Sequence, residues 1–254
     1  MSRWLPETAE LHVGDDQPVA APLAAGNPGA ADLLANVARQ LNARALRKST
    51  RLRCVIGGEA VRHAVVPWID ELAAPAQRQR LAEQTFFETY GEQARGWTVC
   101  QQGAGFGAAS LACAIEKSLL DGLDAAARAR GLVLVSVQPA LMHAFNHVRR
   151  SLKRGLFWFV LVERRSVTLL LMSATAPLQV KRLPLPPAGL GRLLDREWFA
   201  LGLEGPRCPV FVARSATALA TAADAPPAYT EPWSITALAL PPAARAGERE
   251  PVSA

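Results

Sequence analysis

Apolar positions along the chain alternate between a spacing near 3.6 and a spacing of 2, and the switches divide it into helices and strands. Over residues 11–23, Val13 and Val19 flank the turn-forming run Gly14-Asp15-Asp16, which predicts a short hairpin. Asn27-Pro28 then caps a helix in which Leu34, Val37 and Leu41 recur at helical spacing while Arg39 and Arg44 point elsewhere. Residues 52–56 and 61–66 read as strands joined through Gly57-Gly58, a pair that relieves the steric cost of a tight reversal. A helix follows over 75–90, with Leu81, Phe86, Phe87 and Tyr90 on its apolar side and Gly91 at its end. Residues 97–100 form the next strand.

The run 108–130 predicts another helix, with Leu111, Ile115, Leu119 and Leu123 on one side and Gly131 as its stop. Residues 132–137 are continuously apolar, the pattern of a strand buried on both faces. Pro139 opens a helix that runs to Arg150. Three strands then succeed one another over 157–162, 166–172 and 178–183, and the short turns between them favour an antiparallel meander. In the first, Phe157, Phe159 and Leu161 share one face and Trp158, Val160 and Val162 the other. Both faces need cover, one from a helix over 189–201 and the other from the preceding lobe or a docked partner peptide. A strand over 209–212 completes a β-β-β-α-β order. From Ala222 the chain is rich in Ala and Pro, and 241–254 has the composition of a disordered tail.

At 254 residues, half of them hydrophobic, the chain has material for one large core or two packed lobes. The N-terminal stretch has no apolar core of a signal peptide, and runs such as 156–162 fall far short of the about 20 residues that a membrane-spanning helix requires. A soluble cytoplasmic protein is expected. Cys54, Cys100, Cys113 and Cys208 show no CxxC spacing, which argues against a zinc ribbon or a redox pair and for buried free thiols. The formal charge of +6 comes largely from arginines spread along the chain, a solvated surface more than a binding face.

The β-β-β-α-β unit at 157–212, preceded by a hairpin, helix, strands, helix and strand, resembles the paired ribonuclease-H-like lobes of the actin-like ATPase superfamily. The stretches VVPWIDELAAPAQRQRLAEQTFFETYG and LVSVQPALMHAFNHVRR look most like PilM-type pilus-assembly proteins and the cytoplasmic domain of type II secretion L-type proteins. The resemblance implies an α/β fold of two actin-like lobes with mixed sheets flanked by helices: a first lobe with a helical insertion over 1–150, a second over 151–222, and a tail over 223–254. It also implies nucleotide binding between the lobes and a platform role toward an inner-membrane partner that docks through a short peptide. In an intact member the second lobe's first hairpin carries D-x-G-x-x-T, whose glycine opens the backbone to phosphate. The matching stretch runs from Glu163 to Thr168. Glu163, Ser166 and Thr168 stand at this degenerate phosphate turn, but Arg165 replaces the glycine, and Gly14-Asp15-Asp16 lacks the motif's order in the first lobe. Weak or absent ATPase activity is therefore expected, with no cofactor and no catalytic residue.

Other motifs are weaker than their structural alternatives. Gly103, Gly105 and Ala108 fit G-x-G-x-x-A between an expected strand and helix, the setting of a dinucleotide pyrophosphate, yet no acidic residue for a ribose follows the next strand. His143 and His147 lie one helical turn apart, but residue 144 is alanine where H-E-x-x-H has glutamate, and no third metal ligand is indicated. Trp68 and Trp158 are the candidate partner-binding aromatics, with core packing the competing explanation. Arg149, Arg150, Lys153 and Arg154 form the densest basic cluster, read as a solvated connector between lobes. The leading expectation is a non-enzymatic scaffold of a pilus or secretion machine, attached to the membrane through its partner and with no specific nucleic-acid ligand. The rivals are an enzyme using the Gly103-Gly105-Ala108 turn and a basic ribonuclease-H-like nucleic-acid binder.

Overall fold

The aliphatic and β-branched runs assemble into three sheets in a computed structural model that describes residues 7–14, 29–102, 105–152, 155–185, 189–215 and 232–240. The first sheet is parallel, with β2 (Arg51–Ile56) between β1 (Thr8–Val13) and β6 (Val133–Pro139). Alternation along these strands sends Ala9, Leu11, Val13, Leu52, Cys54 and Ile56 to one face, where α1 (Ala30–Asn42) and α3 (Lys117–Ala129) cover them. The buried stripe of α1 is Leu33, Val37 and Leu41, and Leu34 flanks it against Gly122 of α3. The partner strand expected for β1 over 15–23, and the Asn27-Pro28 cap, lie outside the described residues.

Between β2 and α3 the chain inserts a second unit. Its antiparallel sheet has the order β3 (Val61–Val66), β5 (Ser110–Glu116), β4 (Trp97–Gln101), and α2 (Pro75–Tyr90) packs Ala82 and Phe86 against Val66, Ala112 and Ala114. Two expectations change here. The strands on either side of Gly57-Gly58 belong to different sheets, because both edges of β2 are already taken by β1 and β6; a single 3₁₀ turn, Gly58–Ala60, carries the chain across. The expected helix over 108–130 is a strand up to Glu116 and a helix only from Lys117. β6 also departs from its pattern. It is an edge strand, with Val133 51% and Val135 36% exposed.

The third sheet has the order β11-β10-β7-β8-β9, from β7 (Phe157–Val162), β8 (Ser166–Met172), β9 (Pro177–Pro184), β10 (Val210–Arg214) and β11 (Ile235–Leu238). β7, β8 and β9 form the antiparallel meander, and β10 and β11 add in parallel. β11 comes from the segment read as a tail, so this sheet draws on residues beyond 222. On one face of β7, Trp158 and Val160 lie under Leu193, Leu194 and Trp198 of α5 (Leu190–Ala200). On the other, Phe157, Phe159 and Leu161 meet Leu141, Ala144 and Val148 of α4 (Ala140–Val148). Burying a side chain of this size contributes about 2–3 kcal/mol, so the α4 cluster holds the two lobes together by several such increments. The cluster also reaches Val55 of the first sheet and Leu111 of the insertion.

Candidate functional site

The turn after β7 faces the first lobe and brings the expected phosphate-turn residues to the interlobe boundary. Glu163 is 4% exposed, and its backbone N–H donates to the Ser166 carbonyl at 2.9 Å, closing the turn. Its carboxylate crosses to the other lobe, where Oε1 accepts the backbone N–H of Gly58 at 2.7 Å. The Ser166 hydroxyl lies 3.4 Å from Oε2, and Arg182 Nε on β9 donates to Ser166 Oγ at 3.2 Å. Thr168 is buried in β8, opposite Leu161 and Arg182.

The glycines on the first-lobe side make room for acidic side chains. A Cβ on Gly58 would stand 2.6 Å from Glu163 Oε2 and 3.1 Å from Arg182 Nε. At Gly14, held at φ +107°, a Cβ would stand 2.7 Å from Glu59 Oε1. An N–H bonded to a carboxylate forms a charge-assisted hydrogen bond, stronger than one between neutral groups. The Gly58 N–H is thus engaged by a group that carries the same sign of charge as a phosphate.

The glycine-rich alternative loses its setting. Gly103 lies outside the described residues, and the segment with Gly105 and Ala108 joins β4 to β5, two antiparallel strands. It leads into β5 and not into a helix N-terminus that could receive a pyrophosphate. Phe106 in this segment is 86% exposed and meets Trp68 edge to face at 4.8 Å between ring centroids. Trp68 donates from Nε1 to Asp70 at 2.7 Å and carries the Arg78 guanidinium 4.5 Å over its ring, so an aromatic surface is braced from below. Trp158 has no such surface. It is completely buried beneath α5, which makes it core and removes it as a contact for a partner.

Arg78, which lies over Trp68, also donates to Ser110 Oγ at 3.1 Å, and Ser110 borders a largely apolar groove of about 360 Å³ between the insertion, α4 and the third sheet. Leu111, Met142, Phe145, Leu170, Met172 and Pro177 line it. Sequence reading missed this groove because its walls come from three separate units. His143 and His147 are neighbours along α4, their rings tilted at 47° with centroids 5.2 Å apart, and His143 faces Glu10 and His12 of β1. Burial opposes ionisation of Glu10, but the His12 hydrogen bond and the neighbouring histidine charges hold its carboxyl below the usual value. For His143 burial outweighs the attraction of Glu10 and lowers the imidazole pKa. Among the described residues no group of three or more His, Cys, Asp or Glu side chains is placed to hold a metal ion. Of the cysteines, Cys54 and Cys208 are buried free thiols, Cys113 is half-buried, and Cys100 is exposed, contrary to expectation. Burial pushes the Cys54 thiol up to about 12.

No protein-family model matches the sequence, and no curated protein matches it. Solved structures do. A Bacteroides thetaiotaomicron protein with an actin-like ATPase fold and unknown function aligns at TM-score 0.54 and 11% identity, over 85% of this chain and 86% of that one. The chain has the actin-like fold. The same fold relates it to the cytoplasmic domain of EpsL, an inner-membrane component of the Vibrio cholerae type II secretion system, at TM-score 0.54 and 11% identity, over 92% of this chain and 90% of that one. A PilM–PilN type IV pilus biogenesis complex matches at TM-score 0.50 and 16% identity, over 78% of this chain and 72% of that one. Within this actin-like arrangement no helix among the described residues is long and apolar enough to cross a membrane.

Proposed function

We propose that this chain is a non-enzymatic adaptor of a type IV pilus or type II secretion-like inner-membrane assembly, working at the cytoplasmic face of that membrane and held there by its partner. The observation that carries this reading is the Glu163 carboxylate on the Gly58 N–H, 2.7 Å away across the lobes. A protein with a buried carboxylate at that point has an internal substitute for the phosphate anion, and a platform role needs no nucleotide. Fold likeness to EpsL and PilM supports the assembly setting. The partner contributes a short peptide whose apolar side chains seat along Leu111, Met142, Phe145 and Met172, with Trp68 and Phe106 on the adjoining surface.

Calorimetry with magnesium and ATP tests the first half: no saturable heat is expected and hydrolysis stays at background, whereas micromolar affinity overturns the reading. For the second half, the protein used as bait on native membranes should recover an inner-membrane assembly component. Phe106→Ala, at an exposed position, should reduce that recovery several-fold without shifting the melting temperature.

A further inference from the structure

Two features without a role in that reading, the His143/His147 pair and the basic turn after α4, meet in a single cleft. The face of the first sheet opposite α1 and α3 is polar, carrying Glu10 and His12 on β1, Arg53 on β2 and Gln138 on β6. α4 seals this face only through its apolar side, at Leu141, Ala144 and Val148, against Val55. Beside that contact lies a cleft of about 420 Å³.

Arg53, Arg149 and Arg150 line the cleft together with His143 and His147, and Arg149 also borders the apolar groove on the other side of α4's end. Asn146, Ser136 and Gln138 add neutral hydrogen-bonding groups. Among the described residues the lining holds one carboxylate, that of Glu10, and its Oε1 lies 2.9 Å from His12 Nε2 and 3.9 Å from His143 Nε2. The three arginines outnumber it even when every histidine is neutral. A metal cation would be repelled by this lining, and an apolar ligand would have to strip water from it. A phosphate group is matched by it, because guanidinium forks present paired N–H donors at the spacing of phosphate oxygens. The donors converge on one cavity and do not form a stripe along a face, which separates the site from a nucleic-acid track.

We propose that this cleft binds a phosphate-bearing anion, supplied by a soluble phosphate ester or by the headgroup of an anionic lipid. The full chain titrated with sodium pyrophosphate at low ionic strength should give saturable heat. The Arg149→Gln, Arg150→Gln double variant should weaken that binding by about tenfold or more, the loss expected when charge-assisted hydrogen bonds are removed. Both side chains are exposed, so the melting temperature should hold. Arg53→Gln should produce the same loss from the sheet side, whereas Arg80→Gln, on the exposed face of α2, should leave binding unchanged. Co-sedimentation with phosphatidylcholine vesicles, with and without phosphatidylglycerol, distinguishes the sources. Pyrophosphate binding without vesicle binding supports a soluble ester, and vesicle binding that the double variant abolishes supports a headgroup. Binding in neither assay, or binding that Arg80→Gln reduces as much as the cleft variants, overturns the proposal.

Discussion

His63 on β3 has a ring Nε2 that is shut off from solvent and meets no hydrogen-bond partner among the described residues. Burial, followed by the positive charges of Arg182 and Arg62, pushes its imidazole down to about 4 from an ordinary 6.5. The folded protein therefore holds this ring neutral where the unfolded chain would protonate it. The sign follows from linkage: the contribution to stability is whole above about pH 6.5 and is lost progressively as pH falls toward 4. At about pH 5 the loss amounts to about 2 kcal/mol, from roughly 1.4 kcal/mol per pKa unit. Urea unfolding compared between about pH 7.5 and about pH 5 should show a fall in midpoint that His63→Gln largely removes. An unchanged pH dependence in that variant would assign the acid sensitivity elsewhere. Little of this was legible in the sequence, where His63 sits in an ordinary alternating strand; the enclosing charge comes from Arg182, on a strand of the other lobe.

At the scale of elements, β7 shows what a short pattern does specify. Its alternation alone placed Phe157, Phe159 and Leu161 opposite Trp158 and Val160, and the two sets do pack into different clusters. What the strand could not reveal is which cover seals each face, since that depends on elements remote in the chain. With α5 over Trp158 and α4 over Phe159, the second cover comes from the first lobe, one of the two covers expected, and not from a docked peptide. Trp158→Asp should accordingly abolish soluble expression, because an unpaired buried charge is strongly destabilising. Soluble protein from that variant would show that α5 is not a permanent cover. The segment 110–116 failed for a related reason. Leu111 and Ile115 are four residues apart, a spacing that keeps side chains on one face of a helix and also on one face of a strand. Similarly, Gly57-Gly58 looked like a hairpin turn because two glycines describe local freedom and say nothing of the two sheets that the chain must join.

For the whole molecule, the actin-like order was readable because the meander, the helix after it and the parallel strand follow one another in sequence. The interlobe contact was not, as Glu163 and Gly58 are 105 residues apart. Likewise, the histidine pair and the basic turn could be seen individually, whereas their convergence with Arg53 depends on the parallel pairing of β2 with β6, the strand that leads into α4. The net charge of +6 leads to a further expectation. Any association with nucleic acid should be blind to sequence and should weaken steeply with salt, because it would rest on phosphate neutralisation by dispersed side chains. Filter binding of unrelated duplexes across a salt series checks this, and tight binding that persists at high salt would require a dedicated recognition surface.

The hydrogen bond from Gly58 to Glu163 also sets the thermodynamic terms on which any molecule enters between the lobes. A ligand that needs the boundary open binds only the open fraction, and its apparent dissociation constant is the intrinsic one divided by that fraction. Breaking the charge-assisted bond alone costs about 1.5–3 kcal/mol, which is roughly a tenfold to hundredfold reduction in the open population before any of the α4 cluster is exposed. A partner on the outer groove incurs no such penalty. The same contact thus favours ligands that recognise the closed conformer over ligands that need the boundary open.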